Sequence, residues 1–313
     1  MKGLELSRRF YEEFGAPMLK EQFHDVLPFI AVGLAGSGSE CYGFDDDISH
    51  DHDFEPAFSI FIPDEDIIDT KTAFALERAY SKLPQEFAGF KRSRVSAVGG
   101  NRHGVIRMGD FFAAKTGHRD GELTLSDWFT VPQTSLCEAV NGEVFTDNYG
   151  RFTEIRKKLS FFPADIRLKK LAGNLLLMGQ SGQYNYGRCI SRGETAAAQL
   201  TVFEFVNSTL NVIFLLNETY MPYYKWTFRA LKDLARLQHL AEPLEYLISS
   251  ANTTADAQKK SQVIETVCAK ISDELQALNL TKLNSAELEQ QAYIINDTIA
   301  DNRIRTMHIL CAV

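Results

Sequence analysis

The chain has 313 residues and a mass of 35.3 kDa, with 45% hydrophobic and 24% charged residues. That composition excludes a disordered chain, a collagen-like repeat and a disulfide-stapled miniprotein, and the length suits one large domain or two. Lys plus Arg is 33 against 41 for Asp plus Glu, a net charge of -8, which argues against a general electrostatic grip on nucleic acid and leaves only a local basic groove open.

Taken in chain order, Leu4–Leu27 has helical periodicity with an expected break at Pro17, and Phe29–Ala35 is a short apolar run of the buried-strand kind. Phe54–Ile62 reads as a second strand ended by Pro63, Asp64–Leu83 as a helix stopped by Pro84, and His103–Met108 as a third strand. Glu143–Thr146 makes a short fourth strand after Asn141-Gly142. Beyond Gly150 the strand signals stop. Ala164–Gln180, Glu194–Glu218, Lys225–Ala241, Ser261–Leu278 and Ser285–Ile299 all have helical patterns. Phe203, Val206, Leu210 and Ile213 form a helical stripe expected in the core. The expected architecture is α+β: residues 1–150 form an α/β domain with a small mixed sheet, and residues 151–313 form an all-α helical bundle.

The five cysteines are odd in number and widely spaced, with no CxxC, as expected of reduced thiols. The opening MKGLELSRRFYEEF has no apolar signal core. The most lipid-like stretch, Phe205–Asn217, is 13 uncharged residues, short of the roughly 20 that a membrane span needs. A soluble cytoplasmic protein without membrane association is the expectation.

The charge is unevenly placed. Between Glu21 and Thr70 there are thirteen Asp and Glu and no Lys or Arg, so the rest of the chain carries a net +5. The block is interleaved with Phe, Ile, Val and Gly, so it should fold. Folded acids without basic neighbours repel one another unless they are spread out, protonated or bridged by a cation.

Within this block lies GSGSECYGFDDDISHDHDF, residues 36–54, between the first two strand-like runs. A strand that exits into Gly36-Ser37-Gly38-Ser39 lets backbone N–H groups and a hydroxyl approach a phosphate closely. Asp51-His52-Asp53 begins fourteen residues after Ser37. On a strand, residues two apart share a face, so Asp51 and Asp53 would project together and share a hard cation such as Mg²⁺ or Mn²⁺, while His52 points away. The plainer readings are exposed strand-end acids and an ordinary Gly/Ser turn. Asp45, Asp46 and Asp47 read first as loop and cap residues.

This arrangement resembles the nucleotidyltransferase signature of the DNA polymerase β-like superfamily: a hydrophobic residue, Gly-Ser, a spacer, then Asp-x-Asp on a strand. Both Gly36-Ser37 and Gly38-Ser39 fit the spacing. The wider string is similar to the bacterial family known as domain of unknown function 4037. Further echoes are Asp127-Trp128 in TLSDWFTVP, Gly187-Arg188-Cys189, and Pro222-Tyr223-Tyr224-Lys225-Trp226.

The resemblance implies transfer of a nucleoside monophosphate from a nucleoside triphosphate to a hydroxyl acceptor, with loss of pyrophosphate. Gly36, Ser37 and Ser39 would hold the β- and γ-phosphates, Asp51 and Asp53 would be the metal ligands, and the helical half would close over the nucleotide and acceptor. The superfamily usually adds a third carboxylate on a neighbouring strand. Here HGVIRM offers His103 and Arg107 but no acid; Asp110, just after it, is the candidate, with His103 as a substitute base. Lys225, between Tyr224 and Trp226, and Arg188, in GRCISRGE, are the candidate phosphate-binding cations. A surface lysine over aromatics and a solvated loop are the alternatives for these two. His50 and His52 beside Asp51 also suggest a metal-dependent phosphohydrolase, but the other histidines show no helical pairing to complete that ligand set.

The chain has no GxxxxGK[ST], no GxGxxG opening a helix, no HExxH and no GxSxG. The expected function is therefore Mg²⁺-dependent nucleotidyl transfer to a small-molecule acceptor, with nucleic acid disfavoured by the charge. The rivals are a catalytically inactive nucleotide sensor or partner-binding module on the same fold, and nucleotidylation of the protein itself or of a partner protein.

Overall fold

The computed structural model describes residues 1–50, 54–92 and 103–313. The chain divides into two compact units: residues 1–127 with 131–160, and residues 128–130 with 161–313.

In the first unit, α1 (Gly3–Phe10) passes through a π-helical turn at Tyr11–Gly15 into α2 (Ala16–Gln22). The helix is thus not broken at Pro17. The Ala16 N–H donates to the Tyr11 carbonyl, five residues back, and this widened turn accommodates a proline that has no N–H of its own. Gly15 lies against Phe58, where a Cβ would stand 2.4 Å from the ring.

The strand β1 (Ala31–Leu34) is buried throughout, as is β2 (Ser59–Ile62). β2 is shorter than expected: residues 54–58 run without strand pairing, and Pro56, lacking an N–H, cannot donate to a ladder. The helix α3 (Thr70–Ser81) starts six residues later than Asp64 because Asp69 caps it, accepting from the Thr72 N–H at 2.7 Å. A hairpin of β3 (Glu86–Phe87) and β4 (Phe90–Lys91) turns through Ala88 and Gly89, both at positive φ. An Ala-Gly pair is a weak hairpin signal, and this element escapes sequence reading.

β5 (Gly104–Arg107) leads into α4 (Met108–Thr116), followed by α5 (Leu125–Thr130), α6 (Gln133–Val140), β6 (Glu143–Asp147) and α7 (Arg151–Lys158). The sheet order is β5-β2-β1-β6, with β1 antiparallel to β2 and β6, and β2 parallel to β5. The expected small mixed sheet is therefore present. One face packs Val32, Ile60 and Ile62 against Phe10, Leu19 and Leu76. On the other face Phe61 stacks on Phe152 of α7 at 4.1 Å and meets Phe111 of α4 edge-on at 5.1 Å. Alternation along β2 sends neighbouring residues to opposite layers.

The second unit is helical: α8 (Ala164–Met178), a π-helical turn at Gly179–Tyr186, α9 (Gly187–Ser191), α10 (Thr195–Leu216), α11 (Tyr224–Lys232), α12 (Ala241–Ser249), α13 (Thr254–Ala277), α14 (Leu288–Asp297) and α15 (Asn302–Arg305). The expected single helix over Lys225–Ala241 is instead α11, which ends at Lys232, and a separate α12. α10 is 22 residues long, longer than the uncharged stretch Phe205–Asn217 because it also includes Glu204, and is apolar enough to cross a membrane by length and composition. Most of it is buried in this unit, packed against α8 and α12. Val206, Leu210 and Ile213 lie in its core stripe, but Phe203 is 62% exposed, contrary to expectation. The buried face is centred on Val202, Phe205, Val206, Thr209 and Ile213, which turns Phe203 outward.

Candidate functional site

Strand register gathers the chemistry at one edge of the sheet. β1 pairs Gly33 with Ser59 and Leu34 with Glu143, and β2 pairs Ser59 with Gly104. The end of β1 therefore lies beside the starts of β2, β5 and β6. That edge carries Gly36 and Ser37, the chain entering β2, His103, and Asn141-Gly142. Asp51, His52 and Asp53 lie outside the described residues.

The Gly36–Ser39 turn is held from a distance in sequence. Gly36 has φ +123°. Its N–H donates to Asn141 Oδ1 at 2.9 Å, and Asn141 Nδ2 donates to the Gly36 carbonyl at 2.7 Å. One side-chain amide thus satisfies both backbone groups, as a neighbouring strand would. The Gly142 N–H donates to the Cys41 carbonyl at 2.9 Å. At Gly142, φ is +67° and a Cβ would fall 2.0 Å from the Leu34 carbonyl oxygen, so only glycine fits. The N–H groups of Ser37, Gly38 and Ser39 donate to no acceptor among the described residues. Consecutive backbone N–H groups left free in a turn make an anion-binding concavity.

The turn opens on a groove of about 250 Å³, lined among others by Gly36, Ser37, His103, Asp110, Phe111 and Lys115. Ser37 is exposed, and Ser39 is half-buried with its hydroxyl 3.4 Å from Glu40 Oε2. Lys115 pairs with Glu138 of α6, each side chain 20% exposed.

Asp110 lines the groove, but its carboxylate is held by Arg119, whose other guanidinium nitrogen binds Asp64. Those two hydrogen bonds hold the Arg119 guanidinium above its ordinary pKa. Asp64 follows the end of β2 remote from Ser37, so the bridge ties Asp110 to that end of the strand. Glu143, at the start of β6, pairs with Arg8.

Three further acids of the block serve as caps and turn anchors. Asp45, with a side chain 1% exposed, accepts from the Gly3 N–H at 2.9 Å and so caps α1, with Lys2 beside it. Asp46 accepts from the N–H groups of Ile48 and Ser49, and Asp69 caps α3. The expectation of loop and cap roles holds for Asp45 and Asp46. Helix N-termini and an arginine from outside the window relieve the repulsion that the sequence suggested. Among the described residues, no group of three His, Cys, Asp or Glu side chains is placed to hold a metal.

Lys225 and Arg188 belong to the second unit. Lys225 is exposed at the start of α11, its ammonium 4.9 Å from the Trp226 ring centre. Arg188 is exposed and lies over Tyr184, donating to its hydroxyl. The segment around it is not a loop: Gly187–Ser191 continues the helix, and only Arg192-Gly193 turns.

Sequence reasoning missed Asn141, Lys115, Glu138, Arg119 and Arg156. Asn141-Gly142 had a signal, read only as a turn. The others carry none, since a single charged residue on an amphipathic helix, or in a loop as Arg119 is, looks like solvated surface.

Residues 128–227 match the model of the family described as Domain of unknown function (DUF4037). This segment belongs to that family. It includes Gly187-Arg188-Cys189 and the Pro222–Trp226 run, while Gly36–Phe54 lies outside it. No curated protein and no solved structure matches the chain.

Proposed function

We propose that this DUF4037-containing chain is a cytoplasmic Mg²⁺-dependent nucleotidyltransferase with a polymerase β-like first unit. It moves a nucleoside monophosphate from a nucleoside triphosphate to the hydroxyl of a small molecule. The observation that carries the reading is the Gly36–Ser39 turn, with three successive free N–H groups, opening on a groove at the sheet edge where the chain enters β2. Such a turn recognises phosphate oxygens by geometry as well as charge.

In the reaction the acceptor oxygen attacks the α-phosphorus, the bond from that phosphorus to the bridging oxygen breaks, and pyrophosphate leaves. Ser37 and the turn hold the leaving phosphates. His103, lining the groove, receives the acceptor proton. Asp51 and Asp53, the two carboxylates of the Asp-x-Asp pattern, would be the oxygen donors for a hard cation, while Asp45, Asp46, Asp64 and Asp69 of the same acidic block are engaged in caps and in the Arg119 bridge. Mg²⁺ or Mn²⁺ there would offset phosphate charge and activate the attacking oxygen.

Thermal melting with each ribonucleoside triphosphate, with and without Mg²⁺, tests this reading. A metal-dependent rise for one nucleotide in wild type, absent in Asp51→Ala/Asp53→Ala, is the expected result. No rise with any nucleotide would overturn it. The Arg119 bridge on Asp110 favours one rival, a nucleotide sensor without turnover, which predicts the same melting shift but no pyrophosphate release. Intact-mass measurement after incubation separates self-nucleotidylation from transfer to a small molecule.

A further inference from the structure

A triphosphate beside an acidic block needs positive charge close by, and the first unit has one cation lining the groove and a second beside the segment that anchors the turn. Lys115 lines the groove together with Gly36 and Ser37, and is held by Glu138 of α6. Arg156 of α7 donates from Nη2 to the Val140 carbonyl at 2.6 Å, next to the Asn141-Gly142 pair that anchors the turn. Its Nη1 is buried and has no partner, and it makes no ion pair among the described residues. Burial holds the guanidinium below its ordinary pKa. A part-buried guanidinium with one nitrogen unpaired and no counter-charge is costly to keep, and an anion seated nearby offsets that cost.

We propose that the Gly36–Ser39 turn, Lys115 and Arg156 form a polyphosphate subsite. The free N–H groups and Lys115 contact phosphate oxygens, and Arg156 acts from behind the turn as a positioning charge. The inference rests on the nucleotide reading and deepens it, assigning the charge that faces the phosphates to α4 and α7. Glu138 is the internal competitor: Lys115 exchanges this carboxylate for the bound anion. The subsite therefore takes the linear phosphate chain of a nucleoside triphosphate without requiring the base.

The test is calorimetric titration of the full chain with inorganic tripolyphosphate in the absence of divalent metal. Wild type binds. Lys115→Met weakens binding by about tenfold, the worth of one charge-assisted hydrogen bond. Glu138→Gln, which frees Lys115, strengthens it. Arg156→Lys keeps the charge and retains part of the affinity, whereas Arg156→Met loses it; a thermal melt of each variant separates lost binding from lost folding. No binding by wild type, or equal affinity in wild type, Lys115→Met and Glu138→Gln, would overturn the subsite. The two proposals fail separately. Tripolyphosphate binding lost in Lys115→Met, without any metal-dependent nucleotide shift, refutes the transferase and keeps the subsite. A nucleotide shift lost in Asp51→Ala/Asp53→Ala, with tripolyphosphate binding indifferent to Lys115, does the reverse.

Discussion

Asn141→Ala removes both hydrogen bonds that fix Gly36, the one accepted at 2.9 Å and the one donated at 2.7 Å. Gly36 is buried, so its N–H and C=O would lose their partners together. A buried backbone group left unsatisfied costs about 1–3 kcal/mol. Because Gly36 also lines the groove, water can reach part of the gap, and the lower end, about 2 kcal/mol for the pair, is the expected loss. In a unit of this size that lowers Tm by about 4–8 °C. The assay is thermal unfolding followed by circular dichroism, paired with the tripolyphosphate titration. Asn141→Asp makes the argument sharper, since a carboxylate still accepts from the Gly36 N–H but cannot donate to its carbonyl. It should destabilise less than Asn141→Ala yet weaken anion binding more, because it places a negative charge beside the turn. An unchanged Tm and unchanged anion affinity in Asn141→Ala would refute the view that this side chain holds the turn in its phosphate-ready form.

Two further outcomes concern the second unit. Asp301 is held down to about 2 by its hydrogen bonds with Arg303, first from the guanidinium and then from the backbone N–H. A depressed carboxylate favours the folded state above its unfolded pKa of about 4, and this contribution is lost as the pH falls from there toward 2; a carboxyl NMR titration of wild type and Arg303→Ala should show the midpoint rise in the variant. Lys169 is fully buried and donates to Asn296 Oδ1 at 2.7 Å and to the Met307 carbonyl at 2.6 Å. Lys169→Met strands both acceptors, so a loss of about 3 kcal/mol is expected in urea unfolding, and a midpoint equal to wild type would contradict that role.

Much of the fold was legible because its signals are local. FIAVGLA and SIFI are apolar runs short enough for strands, and both are buried on each face. The helical half announced itself through periodicity over Ala164–Met178, Thr195–Leu216 and Thr254–Ala277. Errors arose where a neighbour overrode the pattern. Asp69, not Asp64, starts α3 because its side chain reaches the Thr72 N–H. The first helix runs through Pro17 because a π-helical turn widens just before it. Phe203 fits the apolar stripe by spacing yet faces solvent, since periodicity gives a face and its width depends on what packs there.

The candidate site divides in the same way. The Gly36–Ser39 turn is legible because a Gly/Ser turn depends on residues close in sequence, whose relative placement the local backbone sets, whereas Asp51 and Asp53 lie outside the described residues. The sequence by itself determined that pattern, the acidic block around it and the helical character of the second half. Tertiary structure alone decided that Asn141 clamps Gly36 across 105 residues, that Arg119 ties Asp110 to Asp64, and that Lys115 rather than another lysine lines the groove. These partners meet through strand register and helix packing, which bring together groups far apart in the chain, and no spacing rule in the sequence specifies which of many similar side chains will meet.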